Sequence, residues 1–306
     1  IKDPDPGAPW PRVAWLMSFP NSGTSFTMRL VQRATNTTAA TNYGKECAKT
    51  GLAPDGSNVP LYSNSSGGPF LLNPATRPVP EKYVMTKTHC GGRCNTCSPD
   101  KYIIDEDTFK DWCLRGGKYI HKNNSTANDF VNVYYKESLV QRAIHLIRNP
   151  FDNIVSNFHL EHHERKKMND TWWLGHFIDD RDGFQKWCKY LDGRYVHGRN
   201  NSSSVFGNVP CYGDFYRYAQ WHNYAVKVTR KMKLPTLVMY YESYGRDFKG
   251  SVEALLEFLK LPQNGNLTAF KSGKSYKMDY FTEDQRKNAI GMLKLLTNRN
   301  TWRLLQ

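Results

Sequence analysis

The sequence predicts an α/β protein: a single-domain, three-layer α/β/α architecture with a central parallel sheet and an anion-cradling loop behind its first strand. Three observations lead there. Short, continuously apolar runs at Val13–Phe19, Tyr83–Thr88, Ala143–Ile147 and Thr236–Tyr240 alternate with longer helical segments, the pattern of parallel strands covered on both faces. Behind the first and third runs the chain turns into Ser-, Asn- and Thr-bearing segments that open helices, and open α/β sheets bind ligands beyond the carboxyl ends of their strands. The 306 residues show no internal repeat and suffice for one large core.

Residues 1–12, with Pro4, Pro6 and Pro9 and no Met at the start, read as a stem or linker ahead of a domain spanning 13–306. Ser18-Phe19-Pro20-Asn21-Ser22-Gly23-Thr24-Ser25-Phe26 follows the first strand. Pro20 and Gly23 bend the backbone there, and Asn21, Ser22, Thr24 and Ser25 line the turn with polar side chains. The first N–H groups of the predicted helix Ser25–Arg33 point at an oxyanion, assisted by the helix dipole. This is not the nucleoside-triphosphatase signature, which requires a second Gly followed by Lys. Next, Thr35–Pro80 is rich in Asn, Gly, Ser, Thr and Pro and reads as a loop-rich insert at about 35–80.

The second strand, beginning at Tyr83, ends in Lys87-Thr88-His89. A helix is predicted at Asp107–Arg115. The third strand ends at Arg148, where Asn149 is placed to cap a helix Pro150–Glu164, Pro150 takes its first position and Asp152 lies three residues after the cap. At 3.6 residues per turn Asn149, Asp152, Asn153 and Ser156 share one face. Arg148 and Ser156 thus converge on a second anion. Helices are further predicted at Gly213–Lys231, Ser251–Leu259 and Thr282–Leu296.

With these segments in this order the chain resembles the sulfotransferases that use 3′-phosphoadenosine 5′-phosphosulfate (PAPS). Ser18–Phe26 is similar to that family's P-loop-like phosphosulfate-binding loop, Lys87-Thr88-His89 to its catalytic strand end, and Arg148…Ser156 to its R-x-P-x-x-x-x-x-S signature for the 3′-phosphate. The resemblance implies His89 as general base on an acceptor hydroxyl and Lys87 beside the leaving phosphate. It implies Asn21, Ser22, Gly23, Thr24 and Ser25 as the donor loop, Arg148 and Ser156 as 3′-phosphate ligands, and Lys271 and Gly273 in a loop closing over that phosphate. PAPS is the implied donor and 3′-phosphoadenosine 5′-phosphate (PAP) the product, with no metal. Two departures stand out: Asn21 occupies a place where the family carries Lys or Arg, and Ser272 replaces a usual basic residue.

Lys and Arg number 42 against 28 Asp and Glu, a formal net charge of +14. Such a field suits a polyanionic donor. The basic residues are dispersed rather than massed on one element, which argues against nucleic acid as the partner. Eight sequons begin at Asn36, Asn64, Asn123, Asn124, Asn169, Asn200, Asn201 and Asn266, which points to a glycoprotein of the secretory pathway, in the Golgi lumen or secreted. The start at Ile1 is compatible with a signal or membrane anchor upstream. Seven cysteines fit that compartment, with one disulfide expected within Cys90–Cys113 and one joining Cys188 to Cys211. A zinc site on Cys90, Cys94 and Cys97, with Cys113 beyond, is the disfavoured alternative, as is a metal site on His159, His162 and His163. The implied acceptor is a hydroxyl on a carbohydrate or glycoconjugate, with the 35–80 insert helping to form its cleft. A tyrosyl-protein or small-alcohol acceptor, and a non-catalytic module binding sulfated glycans, are the alternatives.

Overall fold

Every residue of Arg12–Ser18 is buried, and this strand, β1, lies inside the sheet with a parallel neighbour on each side. The computed structural model describes residues 2–43, 71–73, 77–92, 105–121, 128–196, 208–267, 269–271 and 275–306. The other strands are β2 (Ala39–Thr41), β3 (Leu71–Asn73), β4 (Tyr83–Thr88), β5 (Arg115–His121), β6 (Asn128–Tyr134), β7 (Val140–Ile147) and β8 (Thr236–Tyr240). The main sheet runs β3-β2-β4-β1-β7-β8, while β5 and β6 form a separate hairpin. All main-sheet pairings are parallel except the edge pair β2 with β3.

The strands alternate faces with the two-residue period of an extended chain. Val13, Trp15 and Met17 of β1 join one core cluster, with Phe151, Ile154 and Phe158. Ala14 and Leu16 join the other, with Leu30, Val31 and Leu255. Helices therefore cover both faces, and the three-layer α/β/α arrangement is the observed fold. On the second face lie α1 (Thr24–Thr35) and, later in the chain, Phe248–Leu259. In chain order the helices after α1 are α2 (Glu106–Leu114), α3 (Pro150–Lys167), α4 (Thr171–His176), α5 (Arg181–Val196), α6 (Tyr212–Lys231), α7 (Ser243–Arg246), α8 (Phe248–Leu259), α9 (Lys277–Tyr280), α10 (Glu283–Leu296) and α11 (Arg299–Leu305).

Local chemistry sets several of these boundaries. Asn149 caps α3 by accepting Phe151 N–H at 3.0 Å and Asp152 N–H at 3.4 Å, and Pro150 occupies the first turn, where its missing N–H costs nothing. Thr282 and Gln285 form a reciprocal capping box on α10. The helix expected from Ser251 begins a turn earlier, at Phe248, because Asp247 accepts Gly250 N–H at 2.9 Å as its cap.

The segment expected as a stem is held to the sheet through Asp3. Its carboxylate pairs with Arg12 at 2.7 Å and Arg142 at 3.1 Å and accepts the Tyr83 hydroxyl. Within the insert, β2 and β3 add to the sheet edge, and the remainder of that segment lies outside the described residues. Both expected disulfides are present, Cys90–Cys113 and Cys188–Cys211, with Cα separations of 4.1 and 4.5 Å. Cys47, Cys94 and Cys97 lie outside the described residues. Among those described, no helix is long and apolar enough to cross a membrane.

Candidate active site at the strand ends

The parallel register aligns Met17 with Thr88 on one side and His145 on the other, so β1, β4 and β7 release their loops at one edge of the sheet. After β1 the backbone turns through left-handed conformations at Asn21 (φ 66°) and Gly23 (φ 91°) and enters α1. A Cβ on Gly23 would sit 2.2 Å from the Tyr241 ring, so glycine is required there for both space and φ. Asn is among the few other residues that tolerate a left-handed φ. The Asn21 amide reaches sideways and donates to Asn157 Oδ1 at 3.0 Å.

Hydroxyls and amides knit the loop to its surroundings. Asn153 Nδ2 donates to Pro20 O at 2.8 Å and to the buried Ser22 Oγ at 3.0 Å, while the Thr24 hydroxyl bonds that of Ser18. Among the described residues no side chain caps α1, whose N-cap is Gly23, and its first turn holds no acidic residue. The leading N–H groups of α1 therefore keep their capacity for an anion. Lys87, buried to 3% exposure at the end of β4, donates to Ser25 Oγ at 3.0 Å and places its ammonium in that first turn. The Tyr43 ring centroid lies 5.8 Å from the Lys87 Nζ.

His89 follows directly. Its Nδ1 lies 2.8 Å from the carbonyl oxygen of Ser18, which can only accept, so Nδ1 carries the proton and Nε2 is the basic nitrogen. The backbone of His89 is fixed at both polar atoms: its N–H donates to the Tyr43 hydroxyl at 2.7 Å, and its carbonyl accepts Trp221 Nε1–H at 2.7 Å. Next in sequence, Cys90 is disulfide-bonded to the end of α2.

Arg148, at the end of β7, donates Nη1–H to the Asn21 carbonyl at 2.8 Å and lies 4.8 Å over the Tyr241 ring. Its Nε is buried and has no hydrogen-bond partner among the described residues. A buried guanidinium donor left open is costly unless a ligand accepts from it. Ser156 stands two turns into α3, half-buried, and its hydroxyl makes no hydrogen bond among the described residues. Asp152 Oδ1 accepts Tyr276 N–H at 2.6 Å and Lys277 N–H at 3.2 Å, tying the chain after the expected closing loop to the first turn of α3. Lys271 is exposed; it follows Phe270, whose ring packs 5.4 Å from that of Tyr241, and Gly273 lies outside the described residues.

Behind the site the buried imidazoles of His145 and His222 face each other at 2.8 Å. Burial lowers His145 to about 4 and pushes His222 down as well, so both are neutral at ordinary pH. Among the described residues no group of three or more His, Cys, Asp or Glu is arranged to hold a metal; His159 instead contacts the Tyr280 hydroxyl at 2.9 Å and Asp179 at 3.1 Å. Sequence reasoning missed Tyr43 and Asn157 and gave Tyr241 no role in the site. Asn157 carried a weak signal, one turn after Asn153 on α3, whereas Tyr43 and Tyr241 reach the site only through tertiary contacts.

No curated protein sequence matches the chain. Among solved structures, the crystal structure of mouse sulfotransferase SULT7A1 complexed with PAP is similar at 13% identity, with a TM-score of 0.42, over 96% of this chain and 88% of that one. The model of the sulfotransferase domain family matches residues 136–291, just over half of the 306-residue chain, and that stretch contains Arg148 and Ser156 while the Ser18–Ser25 loop and Lys87–His89 lie before it. On the strength of that match the chain belongs to the sulfotransferase family.

Proposed function

We propose that this protein transfers the sulfonate group of PAPS to an acceptor hydroxyl, with His89 as general base. The observation that carries the reading is the meeting, at one edge of the sheet, of an uncapped helix start, the Lys87 ammonium and the open Nε of Arg148 beside a histidine whose basic nitrogen is Nε2. Arg148 and Ser156 bind the 3′-phosphate of the donor, and Lys271 and Gly273 close over it. The α1 N-terminus, with Ser22, Gly23, Thr24 and Ser25, binds the 5′-phosphosulfate. Asn21 contributes its backbone and braces the loop through Asn157.

In the reaction His89 Nε2 takes the acceptor's proton as a new O–S bond forms and the S–O bond to the 5′-phosphate breaks. Negative charge grows on that phosphate, where Lys87 and the α1 dipole stabilise it. In-line transfer of this kind depends on positioning and charge stabilisation more than on covalent chemistry. Lys87 thus supplies the cation that the family places in the first loop.

The acceptor we favour is a carbohydrate or glycoconjugate in the Golgi lumen or outside the cell. The two disulfides fit an oxidising compartment, and the sequon asparagines Asn36 and Asn169 are exposed for glycosylation. Incubation with labelled PAPS and a panel of glycans, tyrosyl peptides and small alcohols tests this, with label expected on a glycan. Label on a peptide or alcohol would replace the acceptor class, and PAP binding without turnover on any acceptor would leave a non-catalytic module.

A further inference from the structure

Away from the strand ends, α5, the entry to α6 and α10 border an open cavity of about 780 Å³, within the range of about 300–1,000 Å³ typical of small-molecule sites. Neither the loop after β1 nor Lys87, His89 or Arg148 lines it. Its walls carry Lys189, Asp192, Tyr212, Asp284, Lys287 and Asn288. Lys287 pairs with Glu283 at 3.0 Å, and the charge of Lys189 is balanced by that of Asp284, so no single-sign field selects an ion. What remains is a mixed wall, with hydrogen-bond donors and acceptors set beside the Tyr212 ring, Val209 and Pro210. Lys189, Asp284 and Asn288 make no hydrogen bond or ion pair with other described residues, so their polar groups are available to a ligand.

The walls are fixed in place before any ligand arrives. The Cys188–Cys211 disulfide joins α5 to the start of α6, and Gln285 Nε2 donates to Gln185 Oε1 at 3.2 Å across α10 and α5. Such preorganisation lowers the ordering cost of binding. Asp192, 9% exposed, accepts Gly213 N–H at 3.1 Å, and no Lys or Arg among the described residues pairs with it. Burial, with the neighbouring Asp214 charge, pushes its carboxyl up to about 7 against the pull of nearby backbone N–H groups. A carboxyl group at that balance can donate as well as accept, as sugar hydroxyls do.

We propose that this cavity is a saccharide-binding subsite that takes neutral sugar units of an oligosaccharide acceptor. The proposal rests on the glycan reading above. Tyr212 and Trp221 are nine positions apart on α6, about 13 Å at 1.5 Å per residue, so a molecule reaching from the cavity to His89 must be several sugars long. Binding of mannotetraose and chitotetraose to the intact chain, measured by calorimetry without any donor, tests it. One of them should bind, and N288W, which fills the cavity from an exposed position, should weaken that binding at least tenfold while leaving the PAP-induced melting shift unchanged. Asp192→Asn, which keeps the shape, should weaken it less. Binding by neither sugar, or undiminished binding to N288W, would overturn the subsite. A missing PAP shift in the unmodified chain would instead strike at the donor reading, which this assay does not use.

Discussion

The two ends of β1, β4 and β7 each bury cationic side chains, yet they treat them differently. At the amino ends Arg12 and Arg142 share the carboxylate of Asp3, with the Tyr83 hydroxyl as a further donor to it. At the carboxyl ends Arg148 donates to a backbone carbonyl, lies over a ring and keeps its Nε open. A buried guanidinium matched by a carboxylate is a structural tie. One whose partners among the described residues are a carbonyl and an aromatic ring, set beside an uncapped helix start, has donor capacity left for an anion. The same three strands thus fasten the domain at one end and, in the proposed function, receive the donor at the other.

The largest effect that would break this contrast belongs to His89. His89→Ala should lower transfer by about 10²–10⁴-fold, the usual worth of a general base, with PAP affinity nearly intact; an active variant would move the base elsewhere. At the opposite end Asp3→Ala should cost about 3–5 kcal/mol of stability, because two arginines lose their shared carboxylate, with donor affinity unchanged. Burial would raise the Asp3 pKa, but the hydrogen bonds from Tyr83, Arg12 and Arg142 outweigh it and hold the value below 3.8. The carboxylate's contribution is therefore full above about pH 4 and is lost as pH falls through the depressed, folded-state value. Melting curves of the two proteins should differ most near neutrality and converge in acid.

A smaller effect sharpens the ligand end. Arg148→Ala should weaken PAP by about 10- to 100-fold, the worth of a charge-assisted hydrogen bond, while AMP, lacking the 3′-phosphate, should bind both proteins alike; melting shifts with each nucleotide measure it. Equal losses for PAP and AMP would detach Arg148 from the 3′-phosphate. The smallest expected change is in Tyr43→Phe, which removes the acceptor of the His89 N–H. A net hydrogen bond of about 0.5–1.5 kcal/mol predicts a kcat lowered about 2- to 10-fold with KM for PAPS unaltered. A shift in KM alone would assign Tyr43 to donor binding instead.

Much of the frame was legible because parallel strands buried on both faces leave unbroken apolar runs. The limits of β4 and β8 coincide with the expected Tyr83–Thr88 and Thr236–Tyr240, and the start of α3 was written in Asn149 and Pro150. β2 and β3 escaped notice because three residues carry no periodicity and their pairing joins segments thirty positions apart. The β5–β6 hairpin opens on Arg115-Gly116-Gly117-Lys118, a poor strand signal, and α5 carries Gly183 and Gly193 inside a helix. In the site, residues within motifs were readable and their braces were not. Asn149, Lys87 and His89 lie in local patterns, whereas Tyr43 reaches His89 across forty-six positions and only the folded chain shows it.

Helix α6 carries a consequence for how this site can fail. Tyr218 hydroxyl donates to the Arg148 carbonyl at 2.6 Å, Trp221 to that of His89 at 2.7 Å, and His222 meets His145 on β7. These three positions fall on one stripe of the helix, so a single rod gauges the distance between Arg148 and His89, the donor ligand and the base of the proposed mechanism. Any slip of that rod detunes both together, and damage far out along α6 would surface as a joint loss of grip and turnover.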